Sequence, residues 1–370
     1  MKDKRIVIKI GTNVLHRSNG KLDYKLIGDL AEQITIIRKK GHEVLVVSSG
    51  SIGAGRELCN VDESTNTLIS HQILAAVGQA RLIQIYGDAF RKNKITVAQI
   101  LLTRGDFGLR KSYLNIRNTL ENLLKYKIVP IVNENDVVAT EELDLNFGDN
   151  DLLAVYLATL IGADQLFFMT VAPGLLKEKL SEKGRYSVVV EKVNELNDEI
   201  LNHCLPITSA GGKGGMESKV RSAGMAMSFG IDTYILDGKF PSNVCDILEG
   251  HKRGTHFVAH GRKIRSYQKW LAAGALNKGT LVIDSGAEKA LLKNKKSLLA
   301  NGVIRVEGQF ENKDLVEICN FEGVRLGVGR VDCTSKELRH QIKGPDVKKR
   351  EGRKKNLSKP VIHRNHLFLE

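Results

Sequence analysis

The 370-residue chain has little proline, tryptophan or cysteine and no long hydrophobic run. Its most apolar stretch, 152–163, falls short of the roughly 20 residues that cross a bilayer, so it predicts a core helix. The five cysteines are widely spaced and include no CxxC pair, a pattern typical of neither a disulfide framework nor a zinc site. A P-loop of the form GxxxxGK[ST] is also missing. These shortages argue against membrane, disulfide-rich and P-loop proteins.

The amino terminus, MKDKRIVIKIG, lacks the apolar core and the cleavage site of a signal peptide, and we therefore expect a cytoplasmic protein. The composition, with 42% apolar and 26% charged residues, is that of a globular protein rather than a disordered or coiled-coil one. The chain is long enough to bury sizeable cores.

Positive charge is abundant but unevenly placed. The formal net charge is +14 and the isoelectric point is about 9.4. Residues 1–261 hold 32 basic and 30 acidic side chains, whereas residues 262–370 hold 24 and 12. Because a single core stops growing at roughly 250–300 residues, this asymmetry predicts a large, nearly neutral domain followed by a small basic one.

Short β-branched runs alternate with longer helical patterns through the first 250 residues. Strands are predicted at 5–11, 43–50, 96–104, 128–135, 165–171 and 232–238, and helices near 23–40, 112–126, 150–161, 216–229 and 241–249. This alternation, with nearly continuous apolar strands, predicts an α/β fold with a largely parallel sheet sandwiched by helices. Ligands then bind beyond the carboxyl ends of the strands, where this chain is rich in Gly, Ser, Asn and Asp.

The pattern changes around 254–268, a segment rich in Gly, His and Arg that we interpret as a connection. Short strands separated by glycine follow at 279–287, 301–310, 314–320 and 324–331, and few helices are expected apart from 288–293. The sequence thus predicts an α/β domain at 1–258, a linker at 259–276 and a small, mainly-β, barrel-like domain at 277–370.

Two lysines stand where an anion would be bound. Lys219 follows the glycine-rich segment 211–215 at the start of a predicted helix, where backbone N–H groups favour phosphate. Lys9 lies in an otherwise apolar strand, where a buried charge requires either a phosphate or a carboxylate partner. A plain structural turn and a strand-edge salt bridge are the alternatives for these two positions.

Acidic and amide side chains cluster in two further segments. Phe147-Gly148-Asp149-Asn150-Asp151 is either a helix cap or a set of carboxylates that hold Mg²⁺ or orient lysines. NEND ends with Asp136, which is suited to binding an ammonium group or to forming a turn. Ser48-Ser49-Gly50 offers N–H and hydroxyl donors to a carboxylate.

Together these segments resemble the glutamate 5-kinases of the amino-acid kinase superfamily, which carry a carboxyl-terminal PUA domain. The resemblance rests on IVIKIGTNVL, VLVVSSGSIGAG, AAVGQARL, QILLTRGD, YLNIRNTLENLL, VPIVNENDVV, FGDNDLLAVYLATLIGADQL and GGKGGMESK. The PUA part rests on GTLVIDSGAEKALL, SLLANG, VEGQF and PVIHRNHLFLE. The match runs nearly from end to end.

The resemblance implies ATP-dependent phosphorylation of the side-chain carboxylate of L-glutamate, the first step toward proline. It implies that Lys9 and Lys219 stabilise the transferring phosphoryl group, and that Asp149 and Asp151 orient these lysines and the magnesium. Glutamate is expected to bind at Ser49, Asp136 and Asn150. The residues implied for ATP are Lys9, Gly11, Thr170, Val171, Lys213, Gly214, Gly215, Met216, Glu217, Ser218 and Lys219.

A carboxylate acceptor fits this chemistry, because a Glu side chain is already ionised at pH 7 and needs no general base. The cofactors implied are ATP and Mg²⁺, without assured direct ligation of the metal by the protein. A homodimer or homotetramer with feedback binding of proline is the expected assembly. The basic PUA-like domain leaves RNA binding open, although a regulatory or assembly role is favoured.

Two other functions remain as alternatives. One is another amino-acid kinase, acting on N-acetylglutamate, aspartate or a nucleoside monophosphate. The other is an RNA-binding protein built on a degenerate kinase scaffold. The combination of SSGSIGAG, NEND and FGDND with a PUA-like tail favours glutamate.

The chain departs from the family pattern at two places beside the expected nucleotide. The segment after the 165–171 strand, which usually has an Asp and later a Tyr, reads Thr170-Val171-Ala172-Pro173-Gly174-Leu175-Leu176 here. Lys213 and Glu217 replace the usual smaller polar residues of the glycine loop. We expect ATP use with an altered nucleotide affinity or preference.

The variant Val171→Asp, which restores the acidic residue usual in the family, is predicted to change the KM for ATP relative to GTP, because the resemblance implies that this residue borders the nucleotide. Steady-state kinetics with both nucleotides would measure the change. Equal constants for the parent and the variant with both nucleotides would contradict the prediction.

Overall fold

The structure, a computed structural model, describes residues 3–61, 67–108, 110–138, 150–181, 184–204, 215–260, 278–343 and 359–369. The chain divides into two compact units, one of Met1–Asp106 and Lys111–Lys263 and the other of Phe107–Arg110 and Ile264–Glu370. Each unit has its own hydrophobic core.

Residues before 260 form ten strands and ten helices among the described positions. In chain order they are β1 (Arg5–Ile10), α1 (Thr12–Leu15), α2 (Tyr24–Lys39), β2 (Glu43–Ser48), α3 (Ser51–Arg56), α4 (Thr67–Arg91), β3 (Val97–Leu102), α5 (Arg104–Gly108), α6 (Arg110–Lys125), β4 (Val129–Glu134), α7 (Asn150–Ile161), β5 (Gln165–Thr170), β6 (Leu176–Ser181), β7 (Gly184–Val189), β8 (Lys192–Val193), α8 (Asp198–Asn202), α9 (Met216–Ser228), β9 (Asp232–Asp237), α10 (Ser242–Leu248) and β10 (Thr255–Phe257).

Eight of these strands form one sheet in the order β3-β4-β2-β1-β5-β9-β10-β8. The six strands from β3 to β9 are mutually parallel, which confirms the predicted α/β fold and largely parallel sheet. The last two strands depart from that pattern, because β10 runs antiparallel to β9 and pairs in parallel with β8. The carboxyl ends of the six parallel strands therefore share one edge.

Strand β1 shows how the sheet separates two helical layers. Ile6, Ile8 and Ile10 point into a core that includes side chains of α2, α4 and α10. Because side chains alternate along a strand, Lys9 points to the opposite face, which α7 and α9 cover. The sequence analysis predicted helices on both faces of the sheet.

Some elements escaped the sequence analysis. Thr255–Phe257, which we interpreted as part of a connection, is strand β10, and its three residues are too few to show a period. The hairpin of β6 and β7 was also missed. Of the predicted linker, 261–276 lies outside the described residues.

The second unit is mainly β, as predicted. Its described elements are β11 (Gly279–Ile283), α11 (Ser285–Leu292), a 3₁₀ turn (Ala300–Gly302), β12 (Val303–Gly308), β13 (Leu315–Cys319), β14 (Arg325–Val331), α12 (Ser335–Lys343) and β15 (Ile362–Leu369). Its sheet has the order β12-β11-β13-β14-β15. Helix α12 was not predicted from the sequence. It is strongly amphipathic and packs Leu338 into the unit's core. Among the described residues, no helix is long and apolar enough to cross a membrane.

Helices α3 and α4 pack closely because glycines lie at their contact. A Cβ atom added to Gly78 of α4 would lie 1.8 Å from the carbonyl oxygen of Ser51, and one added to Gly55 would lie 2.1 Å from the carbonyl oxygen of Leu74. Both obstructions are backbone atoms, which cannot rotate away. The two glycines thus set the distance between the helices.

Replacing Gly78 by Ala should therefore destabilise the first unit by about 1–3 kcal/mol, since the added methyl forces the helices apart. Gly87→Ala is the matched control on the same helix, because nothing lies within 4 Å of its added Cβ. The control should be neutral or up to about 1 kcal/mol more stable, as Ala favours helix. Urea denaturation would measure both; equal stability of the two variants would exclude a role for this close contact.

Candidate active site

Functional side chains collect at the edge where the parallel strands end. Ile10 of β1 lies beside Ser48 of β2 and Met169 of β5, and Thr170 lies beside Asp237 of β9. The residues that follow each strand consequently face a common space, as expected for parallel sheets.

Two buried lysines meet one buried carboxylate at this edge. Lys9 Nζ lies 2.5 Å from Asp151 Oδ1, and Lys219 Nζ lies 3.0 Å from Asp151 Oδ2. Asp151 is 0% exposed, Lys9 3% and Lys219 6%. Strand β1, the start of α7 and the first turn of α9 each supply one member, so residues far apart in sequence form one cluster.

The charge of this lysine cluster suits an anion. Two ammonium groups lie within 3.0 Å of the Asp151 carboxylate in the interior, where charges are weakly screened. Removing charges from water is costly, and two cations held close together repel each other. A phosphoryl group placed against Lys9 and Lys219 would be attracted by both ammonium groups.

Helix α9 adds backbone donors next to the lysine cluster. The helix begins at Met216, and no side chain of its N-cap residue, Gly215, accepts a hydrogen bond from the first turn. Lys219 is the fourth residue of the helix. The first N–H groups of a helix lack partners within the helix and attract negative charge. The helix begins at residue 216, as the sequence predicted. Residues 211–214 of the glycine-rich segment, including Lys213 and Gly214, lie outside the described residues, so phosphate binding by this segment stays a prediction.

Beside the lysine cluster, hydrogen bonds connect the residues expected to bind an amino acid. Asn150 Nδ2 donates to Ser49 Oγ at 2.9 Å and to Asn133 Oδ1 at 2.9 Å. Ser51 Oγ donates to Asp136 Oδ2 at 3.0 Å. Asn150 and Asp136, which were singled out from the sequence, thus bond to opposite ends of the 49–51 turn, which contains Ser49; we call these residues the polar cluster.

Gly50 gives the turn between β2 and α3 its shape. Its φ of +105° is in the left-handed region, where a side chain would be strained. A Cβ added there would also approach Leu15 Cδ1 to 3.3 Å. The turn brings Ser49 and Ser51 to the polar cluster.

Several supporting residues were not predicted. Asn133 Nδ2 donates to Gln79 Oε1 at 2.9 Å, and Tyr86 OH lies 2.8 Å from Ser48 Oγ. Burial raises the pKa of the Tyr86 phenol, so it stays protonated. Lys239 Nζ donates to the carbonyl oxygens of Val14 and His16, and so ties the loop after β1 to the end of β9. Gln79 and Asn133 lie within AAVGQARL and NEND, two of the segments that carry the family resemblance. Their place in these segments was the only indication in the sequence that the two residues belong to the site.

Four other described residues that were predicted to bind the nucleotide differ in their contacts and exposure. Gly11 N–H donates to the carbonyl oxygen of Met169, and Thr170 accepts from the N–H of Gly238. Val171 is 50% exposed. Glu217 forms an ion pair with Arg221 at 2.8 Å, one turn along α9.

The described residues do not offer Mg²⁺ a set of protein ligands. No group of three or more His, Cys, Asp or Glu suited to a metal occurs among them. Both oxygens of Asp151 face lysine ammonium groups, which compete with direct coordination. Asp149 lies outside the described residues.

Comparison with known proteins identifies two families along the chain. Residues 4–237 match the model of the amino acid kinase family, and residues 279–352 match that of the PUA domain. A glutamate 5-kinase of Dehalococcoides mccartyi (strain CBDB1) is 38% identical over 368 residues, covering 99% of this chain and 98% of the relative. One from Caldanaerobacter subterraneus subsp. tengcongensis is 39% identical over 368 residues, covering 99% and 97%.

Among solved structures, a carbamate kinase from Giardia lamblia bound to AMP-PNP is similar to this chain. It is 20% identical, with a TM-score of 0.50, and the match covers 70% of this chain and 99% of that one. At this identity the similarity concerns the fold alone.

Replacing Asp151 by Asn should destabilise the protein by about 3–5 kcal/mol, because it removes a buried carboxylate that forms ion pairs with two buried ammonium groups. Inorganic phosphate should raise the Tm of this variant more than that of the parent, since an anion replaces the lost charge. Asp246→Asn, which breaks an exposed pair with Arg253, is the matched control and should cost less than about 1 kcal/mol. Thermal unfolding with and without phosphate would measure both effects, and an Asp151→Asn variant as stable as the control would contradict the role of this carboxylate.

Proposed function

Because the chain belongs to the amino acid kinase family, we propose that it transfers the γ-phosphoryl group of ATP to the side-chain carboxylate of L-glutamate. The product is L-glutamyl 5-phosphate, which makes this the first step of proline biosynthesis. Relatives named glutamate 5-kinase that match nearly the whole chain at 38–39% identity support the proposal.

One observation carries the proposal on structural grounds. Asn150 and Asp151 are consecutive residues at the start of α7, and they belong to two different clusters. Asn150 joins Ser49 and Asn133, which present polar groups to an amino acid, while Asp151 joins Lys9 and Lys219, which suit a phosphoryl group. The two halves of a phosphoryl transfer therefore meet within one helical turn.

The reaction needs positioning and charge neutralisation more than proton transfer. An oxygen of the glutamate side chain attacks the γ-phosphorus, the bond from that phosphorus to the β–γ bridging oxygen breaks, and ADP leaves with that electron pair. The acceptor is already ionised, so no general base is required. Lys9 and Lys219 stabilise the charge on the transferring group, and Asp151 orients both ammonium groups. Asp149 is proposed to assist in that orientation.

The nucleotide is proposed to lie along Gly11, Thr170, Val171 and the segment 213–219. Magnesium enters with ATP, bound to its phosphates, as is usual for Mg²⁺ in kinases. Since the described residues do not form a protein ligand set for it, no step of the mechanism is assigned to the metal.

The glutamate is proposed to bind at Ser49, Asp136 and Asn150. Ser49 and the following N–H groups face its α-carboxylate, and Asp136 and the oxygen of Asn150 face its α-ammonium group. Donors on one side and acceptors on the other match a zwitterion.

We propose a cytoplasmic homodimer or homotetramer with feedback binding of proline, an α/β domain at 1–258, a linker at 259–276 and a PUA-like domain at 277–370. The basic second unit is proposed to act in regulation or assembly, and RNA binding is the alternative that a titration at physiological salt would reveal.

Trapping the acyl phosphate with hydroxylamine tests the function directly. The protein, ATP and Mg²⁺ should give hydroxamate with L-glutamate but not with L-aspartate or N-acetyl-L-glutamate. Lys9→Met and Lys219→Met should each lower kcat by about 10²-fold or more, since each removes charge from the transition state. The exposed Lys92→Met is the matched control and should leave kcat unchanged. Absence of product with every acid would defeat the kinase proposal.

A further inference from the structure

A chain of amide hydrogen bonds runs from helix α4 to the start of helix α7. Gln79 of α4 accepts from Asn133 Nδ2 at 2.9 Å. Asn133 of β4, which is 2% exposed, accepts at its Oδ1 from Asn150 Nδ2 at 2.9 Å. Asn150 Nδ2 also donates to Ser49 Oγ at 2.9 Å. We call these three amides, Gln79, Asn133 and Asn150, the amide relay.

One backbone group sets the direction of every bond in the amide relay. The N–H of Glu134, which can only donate, donates to Asn133 Oδ1 at 2.9 Å. That bond identifies the oxygen of the Asn133 amide, so its nitrogen faces Gln79 and requires the acceptor Oε1. The same Asn133 oxygen needs a donor from Asn150, so Asn150 must present Nδ2 to it.

The oxygen of Asn150 is consequently directed away from the amide relay. Asn150 Oδ1 is buried and accepts no hydrogen bond from the residues that the structure describes. A buried acceptor left without a donor is costly, so a bound group that donates to this oxygen gains affinity. Asn150 bonds to Ser49, and two residues further along the same turn Ser51 bonds to the carboxylate of Asp136. A nearby carboxylate favours a donor that is also a cation.

A primary ammonium group meets both requirements, since it carries three N–H donors and a positive charge. An N-acylated amino acid has one N–H, no charge and additional bulk at the same position. A site built to hydrogen-bond a charged donor rejects an analogue without it far more strongly than an apolar pocket rejects a change in size.

We propose that Gln79 is a positioning residue that selects free α-amino acids over N-acylated ones. Together with the N–H of Glu134, Gln79 holds the amide of Asn133 in place and so keeps Asn150 Oδ1 facing the ammonium group of the substrate. This inference rests on the proposed function and specifies which chemical group of the substrate the amide relay recognises.

The test replaces Gln79 by Met, which keeps the length of the side chain but removes the acceptor. The KM for L-glutamate should rise about 5- to 100-fold, as expected when a buried donor loses its partner. The kcat and the KM for ATP should stay within about threefold, because the lysine cluster is untouched. Gln79→Glu, which retains an acceptor oxygen, should keep the KM for L-glutamate within about threefold of the parent.

The matched control is Gln84→Met on the same helix. Gln84 is exposed and accepts from Arg81 at 3.2 Å, away from the amide relay, so all constants should equal those of the parent. Thermal unfolding of each variant checks folding, and Gln79→Leu repeats the test with a second side-chain shape.

Three results would overturn the inference while leaving kinase activity intact. They are an unchanged KM for L-glutamate in both Gln79→Met and Gln79→Leu, an equal loss in Gln79→Glu, and phosphorylation of N-acetyl-L-glutamate by the parent as efficiently as L-glutamate. A parent protein that forms no hydroxamate from L-glutamate would instead contradict the proposed function itself. The two failures are thus distinguishable.

Discussion

The carboxylate of Asp151, held between two buried ammonium groups, is the interaction on which the candidate site depends. Without it, Lys9 and Lys219 would repel each other where water cannot screen them. With it, the two ammonium groups stay together in the interior. Helix α7, which is buried along nearly its whole length, holds the carboxylate in place between strand β1 and helix α9.

The same helix start connects this charge to substrate recognition. Asn150 precedes Asp151 and bonds to residues of two other elements, Ser49 after β2 and Asn133 in β4. Close packing of α3 on α4, which Gly78 permits, places the next residue, Gln79, within reach of Asn133. A reaction that consists mainly of bringing two anionic groups into line requires such rigid support.

Much of the fold could be predicted because its signals are local. Nearly continuous apolar strands alternating with helices indicated a parallel sheet, and its six parallel strands lie within a residue or two of their predicted bounds. Strand β10 and the β6–β7 hairpin were missed, since short antiparallel pieces show little periodicity. For Lys9, the sequence left a phosphate and a carboxylate partner as alternatives, and the structure supplies a carboxylate, that of Asp151.

The sequence by itself determined the fold class, through its periodicity, and the division into a nearly neutral and a basic unit, through its charge. It also determined which polar residues follow the strands, because residue type is a property of the chain. Tertiary structure alone decided which of them meet. Asn133 lies 54 residues from Gln79 and 17 from Asn150, and the direction of their hydrogen bonds depends on the N–H of Glu134. Hydrogen bonds act only over about 3 Å, so this arrangement exists only once the sheet and both helices have packed.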